Sequence, residues 1–284
     1  MDVEGLLDWA ERKLKASPAI DHWQKDREEI EAEELLDDVI GEDAKLDAEV
    51  PQAAARRFEK MIARRAKGEP VALILGYAEF RGLRITARPG TFLPRDSSEF
   101  LAEQAIRRLK RLGRPIAVDA ATGVGPVALA IKNEVRRAQV YGTDLSASAV
   151  SSARANARKL KVPVKFVRGD LFSALPRTLK TKVDVITLHP PYVGRGELRE
   201  LPDEIRKFEP VGVLSDGSAG GLGLVESTAR QAEDWLRPGG WLLIEVSPDR
   251  ARAVGSVMRR AGLRDIRSTK DRSFQVTRVV IGRA

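Results

Sequence analysis

The stretch Ile116-Ala117-Val118-Asp119-Ala120-Ala121-Thr122-Gly123-Val124-Gly125-Pro126 reads as a buried strand that ends near an acid and turns through two glycines into a helix. A short apolar run bounded by turn signals is the pattern of a strand covered on both faces. Glycine lets the backbone turn sharply and approach a ligand with no Cβ in the way. Gly-x-Gly is a weak signal by itself, and its place after a strand and before a helix gives it weight.

The alternation extends outward from this stretch. Strands are predicted at Ile116–Ala120, Val140–Thr143, Val164–Val167, Val183–Leu188, Trp241–Val246 and Val276–Ile281, with helical stretches between most of them. That order predicts an α/β fold with a largely parallel sheet and helices on both faces. Such sheets bind ligands at the C-terminal ends of their strands. The first end carries Asp119, Ala121, Thr122, Gly123 and Gly125. The second carries Asp144, 19 residues beyond Gly125, followed by Leu145. An acid there is placed to accept hydrogen bonds from ribose hydroxyls. The third is Gly169-Asp170-Leu171, where an acid can meet an adenine amino group. Capping or turn formation accounts for each acid taken singly. Three at adjacent strand ends favour a nucleoside-bearing cofactor. A nicotinamide dinucleotide calls for a fuller Gly-x-Gly-x-x-Gly, and Ala128 at the third position is tolerated, so spacing does not separate the two cofactors.

The front of the chain is helical and acidic. Leu6, Leu7, Trp9, Ala10 and Leu14 recur at three to four residues, as do Ile30, Leu35, Leu36, Val39 and Ile40, with Gly41 as a C-cap. A third helix spans about 51–67, with Phe58, Met61 and Ile62 on one face, Gly68 closing it and Pro70 barring continuation. A hairpin follows, turning at Arg81-Gly82. The expected division is a helical domain at 1–77, a β-hairpin linker at 78–92 and a catalytic domain at 93–284.

Residues 1–50 hold 17 Asp/Glu and 6 Lys/Arg, a net of −11, while the whole chain carries +8, so the remainder carries +19. A basic body suits an anionic partner such as RNA or a ribosome, and equally an Arg-rich solvated surface. Cysteine is absent, which excludes disulfides and thiolate chemistry. With His22 and His189 the only histidines, no metal site is expected. The first ten residues contain Asp2, Glu4 and Asp8, unlike a secretory leader. No run approaches the roughly 20 apolar residues of a membrane helix. The expectation is a soluble, cytoplasmic monomer with no membrane contact.

The fourth predicted parallel strand, Asp184-Val185-Ile186-Thr187-Leu188, runs into His189-Pro190-Pro191-Tyr192. Here the chain resembles the HemK/PrmC group, the release-factor glutamine N5-methyltransferases, whose signature at this point is Asn-Pro-Pro-Tyr. The similarity continues at Phe58 to Gly76 (FEKMIARRAKGEPVALILG), at Leu93-Pro94-Arg95 with Glu99, at Asp119 to Gly125, at Phe208-Glu209-Pro210 and the glycine-rich run to Leu222, and at Asp271 and Arg278. The resemblance implies a class I, Rossmann-like methyltransferase with a mostly parallel seven-stranded sheet. It implies S-adenosyl-L-methionine as donor and S-adenosyl-L-homocysteine as product. Pro94, Arg95, Glu99 and His189 join the loop residues as implied cofactor contacts. His189, Pro190, Pro191 and Tyr192 become the implied catalytic set, with the Pro190 carbonyl accepting an amide hydrogen and Tyr192 forming a wall. The implied acceptor is a glutamine amide in a release factor or ribosomal protein, with the front domain positioning that partner.

The chain departs from the family where His189 stands for Asn. A carboxamide offers a carbonyl acceptor, whereas neutral imidazole offers one acceptor nitrogen and the protonated ring none. Three roles stay open for His189: an acceptor for the amide hydrogen, a base for a different nucleophile, or a structural polar group. Asp96-Ser97-Ser98, Ser247, Arg250 and a longer loop at 216–221 depart more mildly. Two other functions fit the same residues. One is methylation of a base amino group in nucleic acid, since such enzymes also use an x-Pro-Pro-Tyr step on a flipped base. The other is a cofactor-binding protein without turnover.

Overall fold

The computed structural model describes residues 1–22, 25–271 and 275–284. They fall into two compact units, one of residues 1–78, 87–90 and 199–210, the other of 79–86, 91–198 and 211–284.

The first unit is built on helices α1 (Val3–Lys15), α2 (Arg27–Ile40), α3 (Gln52–Arg65) and the short α4 (Val71–Leu75). Asp2 caps α1 by accepting from the Gly5 N–H at 2.9 Å. Gly41 and Gly68 follow α2 and α3 with φ of 90° and 87°, the left-handed stops anticipated for them. Pro70 precedes α4, a turn of helix that the periodicity did not predict. Leu6, Leu14, Leu35, Phe58 and Ile62 make the core of this unit. Each such side chain contributes about 1.5–3 kcal/mol on burial. Within the same unit the guanidinium of Arg65 is wholly buried. Its Nε donates to Glu31 at 2.7 Å and its Nη2 to Glu204 at 2.7 Å. Arg27 Nη1 also donates to Glu204, at 2.7 Å. Two carboxylates and two guanidiniums thus tie 199–210 to the helices.

The second unit takes in most of the hairpin β1 (Tyr77–Phe80) and β2 (Leu83–Thr86), whose turn residues Arg81 and Gly82 both have positive φ. Then come α5 (Ser97–Leu109), β3 (Ile116–Ala120), α6 (Pro126–Glu134), β4 (Gln139–Asp144), α7 (Ala147–Leu160), β5 (Lys165–Arg168) and β6 (Val183–Leu188). One-turn helices α8 (Asp203–Arg206), which belongs to the first unit, and α9 (Val211–Leu214) lead to α10 (Gly223–Trp235), β7 (Leu236–Glu245), α11 (Ala251–Arg260), β8 (Arg264–Asp271) and β9 (Val276–Arg283).

The seven strands stand in the order β5-β4-β3-β6-β7-β9-β8. β3 to β7 are parallel, β9 runs antiparallel to β7, and β8 pairs β9 antiparallel. Leu101, Ile106, Leu129 and Ile131 cover one face of the sheet from α5 and α6. Val225, Ala229, Val254 and Met258 cover the other from α10 and α11. All six predicted strands are present. β8 lies where none was predicted, because its sequence Arg-Asp-Ile-Arg-Ser-Thr-Lys-Asp has a single apolar residue and it forms an edge. The C-terminal ends of β3, β4, β5, β6 and β7 open on one side of the sheet and bring the predicted loops together.

Candidate active site

The glycine loop is held from below by Asp119. Its carboxylate is buried at the end of β3 and accepts from the hydroxyls of Thr122 at 2.6 Å and Thr187 at 2.7 Å. Burial still pushes its pKa up to about 6, against the pull of those two donors. Asp119 therefore shapes the loop, with both oxygens engaged by the protein. Ala121 has φ 50° and Gly123 φ 57°, so the loop coils back over the strand end. A Cβ placed on Gly123 would meet nothing within 4 Å, so the open side of the loop is a cradle that a ligand can approach.

Asp144 sits at the tip of β4. One of its oxygens accepts from the Gly123 N–H at 2.9 Å and the other from the Ser146 N–H at 2.8 Å. A carboxylate has about four acceptor positions, so two remain for ribose hydroxyls. Leu145 beside it is 67% exposed, an apolar face turned to solvent at the mouth of the loop. Gly169 follows β5, Asp170 is exposed and Leu171 turns back with φ 46° into the core. Open cradle, ribose acceptor, apolar plate and exposed acid form a set that fits an adenosyl group.

His189 follows β6 directly, next to the end of β3, and is the hub of a cluster of contacts. Its Nδ1 lies 2.8 Å from Ser98 Oγ and 3.2 Å from Glu245 Oε2. Ser97 Oγ donates to the other Glu245 oxygen at 2.8 Å. Glu245 is buried, and its Oε2 makes no hydrogen bond to other side chains or backbone beyond that approach of the imidazole. A buried carboxylate calls for a donor, and a proton on His189 Nδ1 would face this oxygen as well as Ser98. In the tautomer with that proton the lone pair lies on Nε2. The ring is also bracketed by aromatics. Phe92 meets it edge-on at 5.0 Å and Tyr192 stacks parallel at 5.8 Å. Arg95 lies over the Phe92 ring at 5.0 Å. Burial, with Glu245 adding repulsion, raises the Tyr192 phenol above its ordinary range, so it stays neutral.

The Pro190-Pro191-Tyr192 step is clamped by the loop after it. Val193 N–H donates to Leu214 at 3.0 Å, Asp216 N–H to the Pro191 carbonyl at 3.2 Å, and Tyr192 bridges Ser215. Asp216 in turn takes Ser218 Oγ at 2.6 Å and the Leu224 N–H at 2.7 Å. Among the described residues nothing donates to the Pro190 carbonyl. It is an acceptor left open beside His189.

The strand order thus sets the loop after β3 beside the end of β6, where His189, Tyr192, Phe92 and Arg95 are in contact, with Pro94 half-buried next to Arg95. Glu99 departs from this group. Its carboxylate accepts from the Arg81 N–H at 2.6 Å, at the hairpin turn. Sequence reading did not single out Ser97, Ser98, Glu245 or Phe92 as partners of His189. A lone acid closing the apolar run Trp241-Leu242-Leu243-Ile244 was the available signal for Glu245. Among the described residues there is no group of three or more His, Cys, Asp or Glu able to hold a metal, and no helix is long and apolar enough to cross a membrane.

Two family models match the chain: PrmC N-terminal domain over residues 5–76 and Methyltransferase small domain over 83–202. The chain is 35% identical to a release factor glutamine methyltransferase of Bordetella pertussis, over 78% of this chain and 81% of that protein. It is 31% identical to one from Geobacter sulfurreducens, over 99% and 96%. Among solved structures, the fold is similar to a methyltransferase from Pyrococcus furiosus with a TM-score of 0.51 at 17% identity, covering 71% of this chain and 89% of that one. It is also similar to a T. Thermophilus 16S rRNA N2 G1207 methyltransferase in complex with AdoMet and guanosine, with a TM-score of 0.52 at 18% identity, covering 73% and 49%.

Proposed function

The chain belongs to the release factor glutamine methyltransferase family, and from that premise we propose that it methylates the side-chain amide nitrogen of a glutamine in a peptide chain release factor, with His189 Nε2 and the Pro190 carbonyl as acceptors for the amide hydrogens. S-adenosylmethionine, when bound, supplies the methyl group on a positively charged sulfur. Gly123 and the loop around it, Asp144, Leu145 and Asp170 are the residues that would hold its adenosyl part, and Arg95 stands over Phe92 beside His189.

The difficulty of the reaction lies in the acceptor. An amide nitrogen shares its lone pair with its carbonyl and is a poor nucleophile. Accepting its two N–H groups at fixed points turns the nitrogen toward the donor and raises electron density on it. His189 performs for one hydrogen what the Asn carbonyl does at this position in the family. Its Nε2 accepts only while Nδ1 carries the proton, and Glu245 holds that proton in place. Pro190, lacking an N–H and clamped through Pro191 and Tyr192, presents its carbonyl rigidly for the other hydrogen. Tyr192, stacked on the imidazole, excludes water from that side. The approach of His189 to the buried carboxylate of Glu245 is the observation that carries this reading, because a proton held on Nδ1 leaves Nε2 as an acceptor. The acidic front unit, with −11 over residues 1–50, is the element we assign to docking the release factor.

The test is transfer of label from radioactive S-adenosylmethionine to a purified release factor. A 14 Da gain on one glutamine, abolished by His189→Ala with cofactor affinity intact, is the expected result. Label in RNA, or in no acceptor of a cell extract, would overturn it.

A further inference from the structure

At the opposite end of the sheet from the methyl-transfer site, where β6 and β7 begin, the second unit holds a cavity of about 480 Å³. Its wall carries five guanidiniums, those of Arg107 and Arg108 from the last turn of α5, Arg111 just past it, Arg237 from β7 and Arg267 from β8. The single carboxylate in the wall is Asp184. It is already satisfied, accepting from Arg237 Nε at 2.5 Å and from the Ile116 N–H at 2.8 Å. Arg107 is 3.8 Å from Glu103 on the outer face of α5. Among the described residues no carboxylate lies in ion-pair reach of Arg108, Arg111 or Arg267.

The cations converge on one side chain. Arg108, Arg267 and Arg283 stand over the half-buried Trp241 ring at 4.9, 5.6 and 5.4 Å. Arg283, outside the cavity, is 3.8 Å from Asp265, whereas the indole alone cannot offset the repulsion between Arg108 and Arg267. Arg108 shows the imbalance directly. Its Nη1 donates to the Gln104 carbonyl at 2.6 Å, while its buried Nε has no acceptor. Burial, then the neighbouring Arg267, Arg107 and Arg111, push its pKa down to about 10. Concentrated cations with an unused buried N–H, set in a concavity of ligand size, call for an anion.

We propose that this cavity is a phosphoryl-binding site, distinct from the methyl-transfer site and taking a compact polyphosphate group. Guanidinium forks match the geometry of phosphoryl oxygens, and several in one wall select a multiply charged group over a single carboxylate. A free di- or triphosphate carries such a group, whereas an RNA backbone presents separate, singly charged phosphodiesters.

The experiment titrates the full-length protein with sodium pyrophosphate and, separately, with a 12-nucleotide single-stranded RNA, following tryptophan fluorescence and heat. Arg111→Gln and Arg267→Gln, both exposed, are made singly and together, and their melting temperatures and basal methyl transfer are expected to match the parent. Saturable pyrophosphate binding weakened at least tenfold in the double variant supports the site with a free anion as ligand. Binding of RNA alone, with none of pyrophosphate, overturns the assignment to a compact polyphosphate. Absence of binding by either probe below millimolar concentration, or binding indifferent to both substitutions, overturns the proposal.

Discussion

His189 Nδ1 lies 3.2 Å from Glu245 Oε2, and this pairing joins the ends of two adjacent parallel strands. The register sets it, since Leu188 and Ile244 are direct partners and the next residue on each strand is one member of the pair. The same carboxylate takes the Ser97 hydroxyl, so the acceptor face of the imidazole depends on a buried charge and a helix start.

Glu245→Gln should keep the shape and remove the charge that fixes the tautomer. We expect kcat to fall by roughly ten- to a hundredfold, as is common when a partner orienting a histidine is lost. The KM for S-adenosylmethionine should stay within about twofold. His189→Ala should cost about a hundredfold or more in kcat. Steady-state kinetics with both substrates varied would read this, and a Glu245→Gln enzyme with full kcat would rule out the tautomer argument.

Gly123→Ala and Gly142→Ala should separate binding from folding. At Gly123 the new methyl meets no protein atom and occupies the cradle, at a backbone cost of roughly 1–2 kcal/mol for the left-handed φ. Affinity for the cofactor should drop at least tenfold by calorimetry. At Gly142, inside β4, the methyl would overlap the Phe166 ring and come within 2.9 Å of Thr122 Oγ1. Overpacking there should cost about 1–3 kcal/mol in urea unfolding. Equal loss of affinity and stability in both variants would contradict the assignment.

Asp119 makes a signed pH prediction. Its folded pKa, about 6, stands above the ordinary 3.8, so between these values the native chain binds more protons than the unfolded one. Stability therefore falls as pH rises through about 4 to 6, and the loss is complete above that window. Two pH units correspond to roughly 3 kcal/mol. Unfolding of the parent and of Asp119→Asn, measured from pH 4 to 7.5, should give a difference that grows in favour of the variant across this window. A difference constant with pH would show that the carboxyl is not strained by burial.

Arg65→Ala should be among the most damaging changes in the first unit. It leaves Glu31 and Glu204 beside a void, with Arg27 as their remaining cationic partner, and the loss of one member of a buried cluster of this kind should cost up to about 3–5 kcal/mol. Arg65→Met restores volume without charge, so the shortfall of its recovery measures the electrostatic part. A loss under about 1 kcal/mol by chemical denaturation would mean that water reaches the carboxylates.

β3 and β6 were legible to the residue because central parallel strands, buried on both faces, are written as unbroken apolar runs between turn signals. β8 was not, since an edge strand owes its existence to the partner it borders and not to its own composition. The cofactor loops were legible because they are local. Ser98 lies 91 residues from His189, and Glu204 139 from Arg65, so neither pairing leaves a mark in any window of sequence. The His for Asn exchange was visible from the outset. What it needed, a carboxylate at Nδ1, was written in another strand.

α5 begins with the two serines that hold Glu245 and His189 and ends with the arginines of the cationic cavity. At 1.5 Å per residue its 13 residues form a stiff rod about 20 Å long. Inserting one residue near Gln104 would rotate one end against the other by about 100°, setting either the serines or the arginines adrift. The helix thus acts as a ruler: its length and phase are gauged at both extremities, and drift at one is bounded by the requirements of the other.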